Sequence, residues 1–536
     1  MSETRSYNLL CQPWIPVVWR KDAAEPKPPK VGISETLERA HAICCISHTA
    51  PFIEFGLYRL LITIVLDAYI VADKRPTIGR MRLMLEGERF DACVIDRYLS
   101  VHKVGFDLWG DGQRFFQRES ADGKKPEALV RMFAAIPSGT NVAHWNHFTE
   151  HETSVAEEVA AQFLAAVAPW NFKTKPGEAR TLAGDPPMYA LVMGESVFQT
   201  VVLNLPRPSG RVTFAHEQAN GPVWRREEGK AHALDDLAKL PKTPTLAEGF
   251  TWPSRVIRLD GDGRVAKAVN YAAYKKPTDK AKKKGGNLYG AKSAWRDPNA
   301  GTVTNGKSIE HIKACHGVPV WRDAIPLFLI ASEGEALRGQ KRRSRPEVIT
   351  NALRVLDMPR VLDLPRFRVA VYGMRKKSGG GGDVKVEEWF RSVLTLPAEV
   401  ARDSRLSHQA IDAFNTAQRV ADALKAALRM LRPKMAAVPR ERKRLRETQR
   451  GEGDALATFW QALEPVLARS YLADLAAQKP EARSSLDNWL GMEARNAFAN
   501  AAAAHRRNAD GLFRIANAGN YLERRLRGLL PKEKNL

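Results

Sequence analysis

Cysteine is scarce in this chain. Cys11, Cys44, Cys45, Cys93 and Cys315 are five scattered residues among 536, with no CxxC pair. That spacing excludes a disulfide framework and a zinc finger, and leaves small core residues or exposed reduced thiols. No run of about 18 apolar residues is present, so no segment reads as a membrane span. The opening MSETRSYNLLCQPW has no charged-then-apolar leader, and the expected location is cytoplasmic. A Walker loop, a GxGxxG after a strand, a GxSxG and an HExxH are all missing. With no constellation that supports a reaction, the expectation is a binding protein, not an enzyme, and one without a cofactor.

Positive charge, by contrast, is plentiful. The chain has 83 Lys plus Arg against 60 Asp plus Glu, a net charge of +23 and a pI near 9.8. Such an excess favours polyanionic partners, nucleic acid first. A membrane surface fits less well, because the charge is not confined to one amphipathic helix or terminal tract.

Apolar content of 44% over 536 residues is ample for large cores. Length alone allows three or four domains at about 100–200 residues each, but the pattern changes character only once. Residues 1–392 mix strands, helices and irregular loops. A strand with a Pro-Trp break is expected over Tyr7 to Trp19, a helix from Gly32 with Ser34 as N-cap, a long apolar helix from Pro51 to Ala72, a helix from Val155 to Val167 and a strand from Gln199 to Asn204. Residues 393–536 show almost no strand pattern. Four amphipathic segments follow one another there, marked by Ile411, Phe414, Val420, Leu424, Leu428 and Leu431; by Leu456, Phe459, Trp460, Leu463 and Leu467; by Trp489, Leu490, Ala494 and Phe498; and by Leu512, Ile515, Leu522, Leu526 and Leu529. Spacings of three and four predict a four-helix bundle. The fold class expected is therefore α+β, a large mixed N-terminal domain followed by that bundle, whose outside is basic at Arg440, Arg442, Lys443, Arg444, Arg446, Arg524, Arg525 and Arg527.

Three stretches could meet a ligand. GMRKKSGGGGDVKV, from Gly373 to Val386, places Arg375, Lys376, Lys377 and four glycines between two strand-like segments. It reads as a hairpin with a charged tip, though a solvated turn has the same pattern. KKPTDKAKKKGGNLYGAK sets Lys280, Lys282, Lys283 and Lys284 among Tyr271, Tyr274, Tyr289 and Trp295. Cations with interleaved rings suit phosphates and bases, and equally a plain lysine loop. SGTNVAHWNH crowds Asn, His and Trp in a loop-rich stretch, and His144, His147 and His151 are the best metal candidates, with no carboxylate pair at fixed spacing beyond Glu150 and Glu152. They keep a metal-dependent nuclease open as a rival to nucleic-acid binding; a stand-alone basic DNA- or RNA-binding protein is another.

NLLCQPWIPV (Asn8 to Val17), FDLW followed by RFFQ, SGTNVAHWNH, FQTVVLNLPRP (Phe198 to Pro208), the hairpin and the terminal bundle occur in an order that resembles the CasA family, the large subunits of type I-E CRISPR Cascade. The resemblance covers essentially the whole chain. It implies a non-catalytic subunit that recognises the protospacer-adjacent motif (PAM) of double-stranded DNA largely from the minor groove, helps open the duplex for crRNA pairing, and docks a helicase–nuclease. It implies further partners in the backbone, small and 5′-handle-binding subunits. Carried onto this sequence, the wedge falls on Arg375, Lys376, Lys377 and Ser378, the lysine finger on Lys280, Lys282, Lys283 and Lys284, and the glycine loop on Ala183 and Gly184. His144, Trp145 and Asn146 fall at the tip of the loop that meets the crRNA-bearing core. The chain departs from some relatives in having Lys-Ser at the wedge and no cysteine-rich zinc insertion.

Overall fold

The most apolar stretch of the chain forms a helix over Pro51–Val71 in the computed structural model, and every residue from Phe52 to Ile70 is buried. Pro51 sits in its first turn, where a missing N–H costs nothing. A helix apolar on all sides must be covered on all sides. Helices Ala92–Val101, Glu157–Val167, Val197–Leu203 and Leu246–Thr251 pack against it. The Glu157–Val167 helix comes so close that a Cβ at Gly56 would lie 2.7 Å from the Ala166 Cα.

The structure describes residues 6–109, 114–117, 157–170, 187–207, 213–225, 244–252, 255–262, 265–272, 295–305, 308–314, 319–329, 342–357, 366–378, 384–432, 453–506 and 509–530. The strands are β1 (Ile15–Trp19), β2 (Lys30–Val31), β3 (Ile43–Ile46), β4 (Tyr189–Met193), β5 (Arg255–Asp262), β6 (Val265–Ala272), β7 (Thr302–Asn305), β8 (Ser308–His311), β9 (Arg342–Ser344), β10 (Arg366–Ser378) and β11 (Val384–Pro397). They form small sheets in the orders β2-β1-β3, β11-β10-β4, β5-β6 and β8-β7-β9. With the helices around them this is an α+β fold. Among the described residues, no helix is long and apolar enough to cross a membrane.

Two compact units result. The first comprises residues 1–313, 336–363 and 368–393; the second comprises residues 314–335, 364–367 and 394–536. The second is helical over Val320–Leu329, Ser404–Met430, 453–463, Glu464–Tyr471 (a π-helical stretch), Leu472–Ala476, Ala482–Ala503 and Ala509–Leu529. Its core holds Ile411, Phe414, Val420, Leu424, Leu428, Phe459, Trp460, Leu463 and Leu467, with Trp321 edge-on to Phe414 and Trp460 at 6.0 and 5.9 Å.

Several expectations need correction. Gln199 to Leu203 is helical, within Val197–Leu203, and Asn204 is its C-cap. The β-branched run is compatible with either state, and the local caps decide it: the Ser196 side chain accepts from the Gln199 N–H, and Asn204 both accepts from the Val192 N–H and donates to the Thr200 carbonyl. Ser34 is not the N-cap; Gly32 is, with the helix running Ile33–Glu38 and no side-chain cap bond. Within Tyr7 to Trp19 only Ile15–Trp19 is strand. In the bundle, Trp489 and Leu512 are 42% and 53% exposed: on the helix Ala482–Ala503 the inner row is Leu486, Leu490, Ala494 and Ala497, and on the helix Ala509–Leu529 it is Gly511, Ala518, Leu522 and Leu526, each row one position away from the exposed residue. Cys11, Cys44 and Cys93 are exposed and Cys45 half-buried, all as free thiols; Cys315 lies outside the described residues.

Candidate nucleic-acid interface

β10 and β11 are the two strands of the expected hairpin, and β10 is also paired on its other edge, Arg368 to Tyr372 opposite Met193 to Tyr189 of β4. Being central, β10 is buried on both faces from Val369 to Met374. Arg375, Lys376, Lys377 and Ser378 are its last four residues; the intervening residues 379–383 lie outside the described part. Arg375 pairs across the strands with Glu388, and its guanidinium lies 5.3 Å from the centroid of the Phe390 ring. Gly373 makes room for that ring: a Cβ there would stand 2.5 Å from Phe390 Cζ.

The root of the hairpin is seated on the long helix. Phe52 and Trp389 have ring centroids 4.5 Å apart, Trp389 meets Trp170 edge-on at 5.2 Å, and Trp170 Nε1 donates to the Phe52 carbonyl at 2.9 Å. Tyr372 Oη donates to Glu54 Oε1 at 2.6 Å, and Arg391 Nε reaches the same oxygen at 2.8 Å. Burial pushes the Glu54 carboxyl above its usual range, against the opposing pull of the Tyr372 bond and the Arg391 charge.

The other candidate segments are seen through their flanks. Ala183 and Gly184 lie outside the described residues, but the chain on either side does not: Trp170 and Tyr189 meet edge-on at 5.0 Å, and Tyr189 Oη donates to the Pro169 carbonyl at 2.8 Å. Lys280, Lys282, Lys283 and Lys284 are likewise outside, between Ala272 at the end of β6 and Trp295. Just beyond Trp295, Asp297 forms a two-bonded pair with Arg59 of the long helix, and Asn299 Nδ2 donates to the Ala190 carbonyl of β4 at 2.8 Å. Hence the described flanks of the Ala183–Gly184 segment, the downstream flank of the lysine segment and the hairpin root gather on one helix and one strand. His144, Trp145 and Asn146, with His147 and His151, also lie outside; the flanks there are Gln117, held to Leu108 and Leu259, and Glu157–Val167, whose Gln162 donates to the Trp14 carbonyl.

Sequence reasoning missed Glu54, Arg59, Asp297 and Arg391. The signal for Glu54 and Arg59 was charge inside the apolar run: with Asp67 they interrupt PFIEFGLYRLLITIVLDAYIV, and a buried charge requires a partner from elsewhere in the chain, the place Asp297 and Arg391 fill. Asp67 finds Arg225 at 2.8 Å and Tyr98 at 2.5 Å. In the second unit, Arg524, Arg525 and Arg527 are exposed on helix Ala509–Leu529. No group of three or more His, Cys, Asp or Glu suited to a metal occurs among the described residues.

A family profile described as CRISPR-associated protein Cse1 matches residues 8–500. CRISPR-associated protein CasA/Cse1 of Thermus thermophilus is 27% identical over 272 residues, 49% of this chain and 51% of that protein, so the chain spans about half the length of the curated relative it matches. A crystal structure of a CRISPR-associated protein from the same organism shares the fold at a TM-score of 0.72 and 18% identity, over 98% of this chain and 100% of that one. A chain of a solved CRISPR RNA-guided surveillance complex shares it at 0.69 and 17%, over 98% and 99%.

Proposed function

The chain belongs to the CRISPR-associated Cse1 family, and on that premise we propose that it is the non-catalytic large subunit of a crRNA-guided surveillance complex of the type I-E kind. It reads the PAM of double-stranded DNA, helps open the duplex for pairing with crRNA, and offers the docking surface for a helicase–nuclease. Its partners are target DNA, crRNA, the neighbouring subunits of the complex and that effector.

The observation that carries the reading is the gathering of the hairpin root and the flanks of the two other candidate segments on helix Pro51–Val71 and β4. A surface meant to meet one short stretch of duplex from several sides needs its contact segments to share one rigid base. The net charge of +23 supplies the phosphate attraction. The fold shared with a chain of a CRISPR RNA-guided surveillance complex supports the same reading.

Physically, the division of labour is sound. The minor groove is nearly degenerate between A·T and T·A, so a few donors and a wedge give permissive recognition, while base pairing with crRNA supplies sequence discrimination. Parting one base step costs on the order of a few kcal/mol, which phosphate contacts offset. The proposed contacts are Lys376, Lys377 and Ser378 with Arg375 behind them, Lys280, Lys282, Lys283 and Lys284, and Ala183 and Gly184; His144, Trp145 and Asn146 would dock on the crRNA-bearing core.

The test is a subunit carrying Lys376→Ala and Lys377→Ala. It should enter the reconstituted complex normally and lose target-duplex binding, and normal binding by this variant would remove the hairpin from the interface.

A further inference from the structure

We infer that Glu54 is a positioning residue for duplex opening: one buried carboxylate oxygen ties both strands of the hairpin to the long helix and so sets the direction in which the hairpin projects. The inference rests on the proposed reading of the hairpin as the duplex-opening element.

Tyr372 belongs to β10 and Arg391 to β11, yet both bond Glu54 Oε1, at 2.6 and 2.8 Å, and Arg391 Nε lies 3.4 Å from Tyr372 Oη. Either strand moving alone would break a bond at that oxygen. The anchor itself is enclosed: Glu54 is 4% exposed on a helix buried from Phe52 to Ile70.

Leverage makes this small latch consequential. From Tyr372 to the end of β10 at Ser378 is six residues, or about 20 Å at the rise of a strand. A swing of roughly 10° at the root displaces the end by about 3.5 Å, comparable to one base step along a strand of duplex. Backbone pairing with β4 holds β10 only as far as Tyr372, and the contacts of Trp389 with Phe52 and Trp170 are ring burial without direction, so they leave such a swing of the strand beyond Tyr372 open. Two charge-assisted bonds to a single oxygen do not. Replacing the group by an apolar one could preserve packing while losing direction.

The experiment uses the reconstituted complex with wild-type, Glu54→Gln, Glu54→Ala and Tyr372→Phe subunits. Three quantities are followed: subunit incorporation, target-duplex binding in a gel shift, and opening of the base pairs next to the protospacer, read from 2-aminopurine placed there. Glu54→Ala should incorporate as wild type does, while target-duplex binding weakens because Lys376 and Lys377 move with the hairpin, and opening by complex already bound at saturating concentration slows by roughly tenfold or more, as expected when a working group is misplaced by an ångström or so. Glu54→Gln, whose Oε1 can still accept both bonds, should recover most of the rate. Wild-type opening in Glu54→Ala, or equal losses in Glu54→Ala and Glu54→Gln, would overturn the inference. Should Glu54→Ala fail to fold, Tyr372→Phe removes a single hydroxyl and should slow opening severalfold; an unchanged rate there overturns it too. If the wild type itself opens nothing, it is the duplex-opening reading that fails. The latch is then judged by hydrogen exchange in peptides from 366–378 and 384–397: faster exchange in Glu54→Ala but not Glu54→Gln upholds it, and equal exchange overturns it.

Discussion

Arg59 and Asp297, 238 residues apart in sequence, meet as a buried pair with Nη1–Oδ2 and Nη2–Oδ1 both at 3.0 Å. The guanidinium also lies 4.1 Å from the centroid of the Phe250 ring. This pair fixes the downstream flank of the lysine segment to the long helix. Leaving Arg59 without its carboxylate strands a charge at 3% exposure. Asp297→Ala should therefore lower the free energy of unfolding by about 3–5 kcal/mol, measured by urea denaturation followed by tryptophan fluorescence. A loss below about 1 kcal/mol, the range of exposed pairs, would contradict the account.

Gly373 is required by the Phe390 ring. Gly373→Val should destabilise the first unit by about 1–3 kcal/mol, the usual cost of overpacking, and speed amide exchange in β10 and β11. Gly79 is the control, since a Cβ there meets nothing within 4 Å; Gly79→Ala in its helix should be neutral or slightly stabilising. Equal behaviour of the two variants would contradict the packing read at Phe390.

The buried Glu217 and the half-buried His102 give opposite pH signatures. Burial pushes the Glu217 carboxyl up to about 7, although both its oxygens accept the Leu246 N–H. With a folded value above the unfolded 4.5, its contribution to stability is full below about pH 4.5 and lost as pH rises through 7. That change is on the order of 3 kcal/mol. Burial, aided by Arg225, lowers His102 to about 4, so its contribution is present above the unfolded value of 6.5 and lost as pH falls through 4. Subtracting the melting temperature of Glu217→Gln from that of wild type should give a difference that falls from pH 4.5 to 7. The same subtraction with His102→Phe should rise from pH 4 to 6.5. A rising or flat difference for Glu217→Gln would refute the first assignment, and a falling or flat one for His102→Phe the second.

Arg375 is held by Glu388 across the hairpin. Glu388→Gln removes a negative charge beside the proposed phosphate contacts and releases the guanidinium. Nonspecific duplex binding by the complex should tighten, with the salt dependence steepening by up to about 0.9 in log–log slope for one added phosphate contact. An unaltered slope would place Arg375 away from the DNA.

Much of the architecture was legible in the sequence because it follows from local periodicity. Pro51–Val71, the two hairpin strands and the bundle stripes at Ile411 to Leu428 are patterns of neighbours three, four or two residues apart. The segment from Val197 to Leu203 was misread because its β-branched run suits either state, and caps supplied by Ser196 and Asn204 decide between them. The hairpin was likewise visible as grammar, but what aims it was not. Glu54 lies 318 residues from Tyr372, Arg59 lies 238 from Asp297 and Asp67 lies 158 from Arg225. Charges inside an apolar run announce that partners exist, while their identity depends on tertiary contacts no local pattern encodes. Trp489 and Leu512 were misplaced for a related reason: a helix stripe fixes spacing, not which of two adjacent rows turns inward.

We propose that the subunit reads the bases beside the protospacer. The most direct measurement is a gel shift of the reconstituted complex, with and without the subunit, on duplexes that differ only in the three bases flanking the target. Tight binding that needs both the subunit and particular flanking bases is the predicted result. Identical binding when the subunit is omitted would contradict it.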